Sequence, residues 1–305
     1  MADASSRLVG ALMVVAAAIA FSAKAIIIKL AYRHGVDAVT LLALRMLFSA
    51  PLFALLAWWA VRDPATPSLS LSDLRGVLVL GLIGYYLASY FDFLGLQHIT
   101  AALERLILFV HPTFVLIFSA LLFHRRITRR DVVAVALSYV GIGVVFGNDV
   151  LTQPGNVVLG SFWVLLSALF YSAYLVGSGR LVGRVGSLRF ASYAGLMSCG
   201  GVVVHYLVTA PSLGLILEQP GPVYWLALLM AAVSTVLPIV LTMEGLRRIG
   251  ASHASIIASV GPIATIFLGF AFLGEPITAI QLIGCGLVMA GMLSITLPKK
   301  GRVSD

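Results

Sequence analysis

Charge is what this sequence has least of. Aspartate and glutamate number 12 and lysine and arginine 20 in 305 residues, so charged side chains make up 10% of the chain. A soluble fold carries roughly 25% charged residues, and that class is excluded. Cysteine is almost absent too. Cys199 and Cys285 both lie inside apolar runs, which leaves no disulfide framework and no metal-ligand spacing. They are read as small packing residues. The short signatures of catalysis are missing as well: there is no H-E-x-x-H, no G-x-S-x-G and no P-loop. An enzyme has no motif in its favour, an ATP-driven pump has no nucleotide site, and no cofactor or metal is expected. No polar stretch is long enough to form an extramembrane domain through which a receptor could signal.

What is present is apolar. Hydrophobic residues are 60% of the chain and mean hydropathy is +1.05. A net charge of +8 would suit a nucleic-acid partner, but the basic residues sit in small groups between apolar runs, the pattern of loops on one side of a membrane. A spanning helix needs about 20 mostly apolar residues. Ten such runs are read, near Leu8–Ala31, Val36–Val61, Leu74–Leu96, Ile99–Phe123 and Val132–Phe146, and then Val158–Leu181, Leu188–Thr209, Val223–Leu246, Ile249–Leu273 and Ile277–Leu297. The polar stretch 148–157 divides them, giving a first half of 1–147 and a second of 158–305 with a short tail.

The N-terminus mimics a secretory signal, with Arg7, an apolar stretch and Ala23-Lys24-Ala25. Charge parity argues against cleavage. Taking the N-terminus, alternate loops and the C-terminus together gives fifteen basic residues, including Arg125, Arg126, Arg129, Arg130, Lys299, Lys300 and Arg302; the opposite loops hold Arg33 alone. Both termini are therefore expected in the cytoplasm, and the number of helices to be even.

An internal repeat runs at a constant spacing of 150. Gly95-Leu96 recurs as Gly245-Leu246, and Ile99, Ala101, Ile107, Val110 and Pro112 meet Ile249, Ala251, Ile257, Val260 and Pro262. In the first helix, Gly10, Val14, Ala18 and Ser22 meet Gly160, Val164, Ala168 and Ser172. Five helices per copy is an odd number, so the second copy is expected upside down. Inverted repeats are the architecture of alternating-access carriers, whose solute site lies near the midplane.

Gly261-Pro262, the run Phe272-Leu273-Gly274-Glu275-Pro276-Ile277 and the glycines from Gly284 to Gly291 form a closing signature. With Lys29-Leu30-Ala31, Leu44-Arg45 and the segment from Leu96 to Arg105, they resemble the EamA-type transporters of the drug/metabolite transporter superfamily. The resemblance covers both halves. It implies an all-α secondary carrier of the inner membrane with ten helices, of a kind that often exports amino acids or other metabolites; a multidrug carrier of the same fold is the alternative. Two departures stand out: Phe21-Ser22 where Trp-Gly is common, and His124-Arg125 in place of Gly-Glu.

Ionisable residues within spans cost at least ~2.5–3.5 kcal/mol each on insertion scales, so they face a cavity or one another. Lys24, Lys29, Arg45, Asp92, Glu104 and Arg105 all fall in the first four spans, and their partners at the 150 spacing carry no charge. They are candidates for solute binding or proton relay; equally, Asp92 and Glu104 could brace the bundle by neutralising Arg45, Arg105 or a lysine. Lys29, Asp92 and Arg105 stand near enough to span ends to extend toward the interface. Pro112 and Gly261-Pro262 mark matched helix breaks, candidate gating points near the midplane; His111, beside the first, is a candidate for solute binding or coupling that could titrate near neutral pH, or else a buried imidazole bonded to the carbonyl that Pro112 frees. Tyr86, Tyr90, Tyr171 and Tyr174 are candidate cavity-lining aromatics. Glu244 and Arg248 form an ordinary i,i+4 pair, while His253, Glu218 and Glu275 are expected in solvent. The glycines of the fifth and tenth spans serve helix packing, leaving monomer and homodimer both open. The expected partners are thus lipid, a small solute and, as a coupling ion, protons.

Overall fold

The structure, a computed structural model, describes residues 4–62, 69–124, 126–153, 155–210 and 212–296. Arg125, Pro154, Lys299, Lys300 and Arg302, used above, lie outside the described residues. Helix dominates and no strand occurs among the described residues. Ten helical segments follow one another: α1 Ala4–Tyr32, α2 Ala38–Val61, α3 Leu71–Leu96, α4 Ala101–Phe123, α5 Arg129–Thr152, α6 Val157–Val185, α7 Ser187–Thr209, α8 Gly221–Gly250, α9 Ile256–Leu273 and α10 Ala279–Thr296. Nine are long and apolar enough to cross a membrane; the apolar part of α10, Ala279–Ser294, is shorter.

Short polar residues start the helices. The side chains of Asp37, Ser70, Thr100, Thr128 and Asn156 accept from the first free N–H groups of α2 to α6, supplying acceptors that lipid cannot. The stretch read as a divider is largely helical, since α5 continues through Asn148 and Asp149 to Thr152. Asp149 explains this: it is buried and accepts from Thr100 Oγ1 at 3.0 Å, tying the end of α5 to the start of α4. At the far end of α4, His124 adopts a left-handed backbone (φ 54°), as does Gly274 (φ 72°), 150 residues later, at the end of α9.

The two halves interlock. α1 packs along α8, α2 along α7, α3 along α6 and α5 along α10. Adding or subtracting 150 exchanges the first and third of these pairings and returns the other two to themselves. The glycines show why the helices approach so closely. A Cβ on Gly95 would stand 2.4 Å from Val164 Cγ2 and 2.9 Å from the Gly160 carbonyl; one on Gly245 would stand 2.5 Å from Val14 Cγ2 and 3.0 Å from the Gly10 carbonyl. On α5 and α10, Gly141 meets the Gly284 carbonyl and Gly291 the Ala134 carbonyl, each at 2.6 Å. Gly143, Gly147 and Gly286 face open space instead. Outward, Leu121, Val208 and Trp225 are 70%, 79% and 72% exposed, apolar surface that a bilayer covers.

Two irregularities centre the fold. α3 and α8 each contain a π-helical turn, at Leu82–Leu87 and Ala232–Val236, starting 150 residues apart. α4 is interrupted at Phe109 and Val110 before His111-Pro112, and the chain makes the same break at Ser259 and Val260 before Gly261-Pro262.

Candidate functional site

Lys24 of α1 reaches across to α3 and α4. Its Nζ stands 2.6 Å from Asp92 Oδ2 and 3.7 Å from Glu104 Oε1. Both carboxylates are 1% exposed, so Asp92 does not extend to the interface. An isolated charge buried to this degree costs several kcal/mol; Lys24 offsets that cost for the pair. Apart from the Lys24 ammonium, no N–H or O–H donor among the described residues bonds any of the four carboxylate oxygens. The acidic groups therefore face each other and one ammonium, and the bracing partner is a lysine, not an arginine.

The arginines stand apart from them. Arg45 donates from Nε to Thr235 Oγ1 at 3.0 Å and from Nη1 to Ser89 Oγ at 3.3 Å, with its guanidinium 5.6 Å from the Phe93 ring. It thereby links α2 to α3 and to the π-turn of α8. That turn releases the Met230 carbonyl, which accepts from Thr235 Oγ1 at 3.0 Å. Arg105 lies 5.7 Å from the Phe109 ring, and its Nε has no hydrogen-bond partner among the described residues. A Cβ on Gly261 would stand 2.7 Å from its Nη2. Glycine at that helix break leaves the room the guanidinium occupies.

The breaks are stitched to the opposite half. Ser172 Oγ donates to the His111 carbonyl at 3.0 Å, and Ser22 Oγ to the Gly261 carbonyl at 2.9 Å; both serines and both acceptors are 150 apart. Pro112 has no N–H for the Leu108 carbonyl, and His111 Nδ1 bonds that oxygen at 2.9 Å. His111 also meets Tyr171 edge-on at 5.9 Å.

The tyrosines divide between two places. Tyr171 stacks on Tyr174, and Tyr174 on Phe190 and edge-on to Tyr85. A Cβ on Gly84 would fall 2.2 Å from the Tyr174 ring. Tyr174 is buried core packing, while Tyr171 is 40% exposed. Tyr86 and Tyr90 pack against His205 of α7, at 5.6 and 4.8 Å, away from Lys24. Sequence reasoning passed over His205, Ser89 and Thr235; only Ser22 and Ser172 carried a signal, as members of the repeat.

Glu275 is not in solvent. It accepts from the Ala101 N–H at 3.2 Å and pairs with Lys29 Nζ at 3.2 Å, while Lys29 also donates to the Ile99 carbonyl at 2.7 Å. Arg33 donates to the Leu273 carbonyl. Together these contacts tie the ends of α1 and α4 to the turn after α9. His253 and Glu218 are exposed, and Glu244 pairs with Arg247 and Arg248 at 2.9 and 2.8 Å. A crevice of about 770 Å³ opens between the ends of α1 and α8, lined by Leu30, Arg33, Trp225 and their neighbours. It is distinct from the Lys24 cluster.

The chain matches the EamA-like transporter family over residues 8–147 and again over 158–297. It belongs to that family. It is 35% identical over 291 residues to the uncharacterized transporter YcbK of Bacillus subtilis (strain 168), covering 93% of this chain and 92% of that one. The uncharacterized inner membrane transporter YicL of Salmonella typhimurium is 23% identical over 232 residues, 75% of each chain. A solved structure described only as a crystal structure of a protein superposes with a TM-score of 0.64 at 18% identity, covering 96% of both chains, and shows the fold alone. This EamA-family protein is an integral membrane transporter of small solutes.

Proposed function

We propose that the protein exports small zwitterionic metabolites, amino acids or close relatives of them, across the inner membrane by alternating access between two inverted five-helix halves. One observation carries the reading. Three cations, Lys24, Arg45 and Arg105, stand against two buried carboxylates, and neither arginine has a carboxylate within ion-pair distance among the described residues. Arg105 is left without an anion. A solute carboxylate on Arg105 supplies it, and the solute's ammonium meets the carboxylate oxygens that lack donors. Such groups at matched helix breaks are the setting in which inverted-repeat carriers bind their solutes.

Exchange of the helix pairings under a shift of 150 supports the inverted halves. The fifteen-to-one basic asymmetry of the loops supports cytoplasmic termini, an orientation in which the Lys29–Glu275 contact lies at the outer end and serves as its closing contact. With no nucleotide motif, a gradient of ion or solute drives transport.

Counterflow of labelled amino acids in liposomes tests this. Free amino acids should exchange saturably, and their carboxamides, which keep the ammonium, at less than about a tenth of that rate, since each 1.4 kcal/mol of lost binding is tenfold. Equal exchange of acid and amide sinks the reading.

A further inference from the structure

We propose that Asp92 and Glu104 hold one proton between them and that this shared proton is the coupling ion. The inference rests on geometry at a point where the sequence offered no pair. Asp92 on α3 and Glu104 on α4 are 1% exposed, and one ammonium, Lys24 Nζ, lies within 4 Å of an oxygen of each, which sets the two carboxyl groups side by side. Two ionised carboxylates sharing one ammonium repel each other, and a proton on one removes the repulsion. Apart from Lys24, no donor among the described residues reaches any of the four oxygens.

The surroundings set how many charges the pair can carry. Among the described residues, Lys24 from α1 is the single cation at ion-pair distance, 2.6 Å from Asp92 and 3.7 Å from Glu104. Tyr32, also on α1, directs its hydroxyl to the Phe93 carbonyl at 2.8 Å. Arg45 from α2 is committed to Thr235 and Ser89. Arg105 from α4 turns to the Phe109 ring, with His111 and Tyr171 beyond it. One ammonium thus matches one carboxylate charge, and the proton neutralises the other.

Such a pair couples by charge exchange. When a solute ammonium docks on the carboxylates it supplies the second cation, both groups ionise, and one proton leaves; when the solute departs, a proton returns. The charge at the carboxylate pair is unchanged in either direction, the solute's carboxylate being met by Arg105, and one proton moves against each solute. The last step rests on the zwitterion reading; the shared proton does not.

Infrared spectroscopy of the full chain in lipid, with pH as the only variable, decides the matter. Wild type near neutral pH should show the stretching band of a protonated carboxyl, shifted in heavy water. Glu104→Gln and Asp92→Asn should each lose it, because the remaining carboxylate then has Lys24 to itself. Lys24→Met should about double it, because two buried carboxyls without a cation both take protons. A wild-type spectrum with no such band at neutral pH overturns the proposal, as does a band that survives in both single variants. Counterflow is the separate check on the solute: a band with no amino-acid exchange leaves the proton pair standing and removes only the zwitterion.

Discussion

Removing the charge at Glu275 should open the end of the transporter at which α1, α4 and the turn after α9 meet. In the structure Glu275 accepts from the Ala101 N–H and pairs with Lys29, each at 3.2 Å, and the side chains are 14% and 24% exposed. A hydrogen bond to a charged group is worth about 1.5–3 kcal/mol when well buried. These contacts are long and partly wet, which brings each nearer ~1 kcal/mol. Glutamine still accepts from Ala101 but gives up the ion pair and the charge on that bond, so Glu275→Gln should cost the closed end about 1.4 kcal/mol. The contact exists only while α1, α4 and the α9 turn are together. The loss therefore falls on one state and shifts the open-to-closed ratio about tenfold.

Spin labels at the exposed positions Gln97 and Phe272, which flank the contact, report the change. Double electron–electron resonance should show the long-distance fraction rise about tenfold over a small wild-type fraction. Glu218→Gln, on an exposed outer carboxylate, should leave the distribution alone. Exchanging the charges in Lys29→Glu with Glu275→Lys should restore closure only in part, since lysine cannot accept from Ala101. Identical distributions in wild type and Glu275→Gln would refute the reasoning, as would an equal shift in the Glu218 control.

Other perturbations follow from the same geometry. Glu104→Gln and Arg45→Ala should each abolish transport in the counterflow assay with unchanged membrane levels; full activity in both would remove the cluster from the mechanism. His111→Ala should leave the pH profile of transport where it is, because Nδ1 is committed to the Leu108 carbonyl, while thermal stability falls by about 1 kcal/mol for the lost bond. His124→Gly should stabilise the protein in thermal unfolding by about 0.5 kcal/mol. The relief of a left-handed residue, about 1 kcal/mol, there exceeds the entropy that glycine adds to the unfolded chain; a destabilised variant would show that His124 makes compensating contacts.

Hydropathy made nine of the spans legible, and the spacing of Gly10, Gly95, Gly160 and Gly245 made the repeat legible, though which helices those glycines join is seen only in the structure. Both signals are written in residue type: an apolar run is long enough or not, and only glycine tolerates a neighbour at 2.4 Å. His124 was legible in half. Its departure from Gly-Glu was visible, but its φ of 54° shows that the turn survives the substitution. Glu275 was misread because it stands in a loop, whose exposure depends on what docks there; Lys29 and Ala101 lie more than 170 residues away.

The charged cluster was legible as a set and illegible as a pairing, and the π-turn of α3 accounts for the difference. An α-helix turns each residue by ~100°, so assigning side chains to a face requires an unbroken ladder from a known starting point. The wider turn at Leu82–Leu87 adds a residue and rotates everything after it by about that angle. Tyr90 and Asp92 come after it: Tyr90 arrives against His205, and Asp92 against Lys24 and Glu104. The matching turn in α8 places Thr235 where Arg45 can reach it, which keeps that arginine from pairing with Asp92. No residue in either turn announces it, for Leu-Ile-Gly-Tyr-Tyr-Leu and Ala-Val-Ser-Thr-Val are ordinary membrane sequence. The device that sets which charges meet is thus a backbone irregularity shared by both halves, while the charges themselves belong to only one. The turns therefore supply a common frame, while the charges of Lys24, Asp92 and Glu104 lie in one half and the hydroxyl of Thr235 in the other.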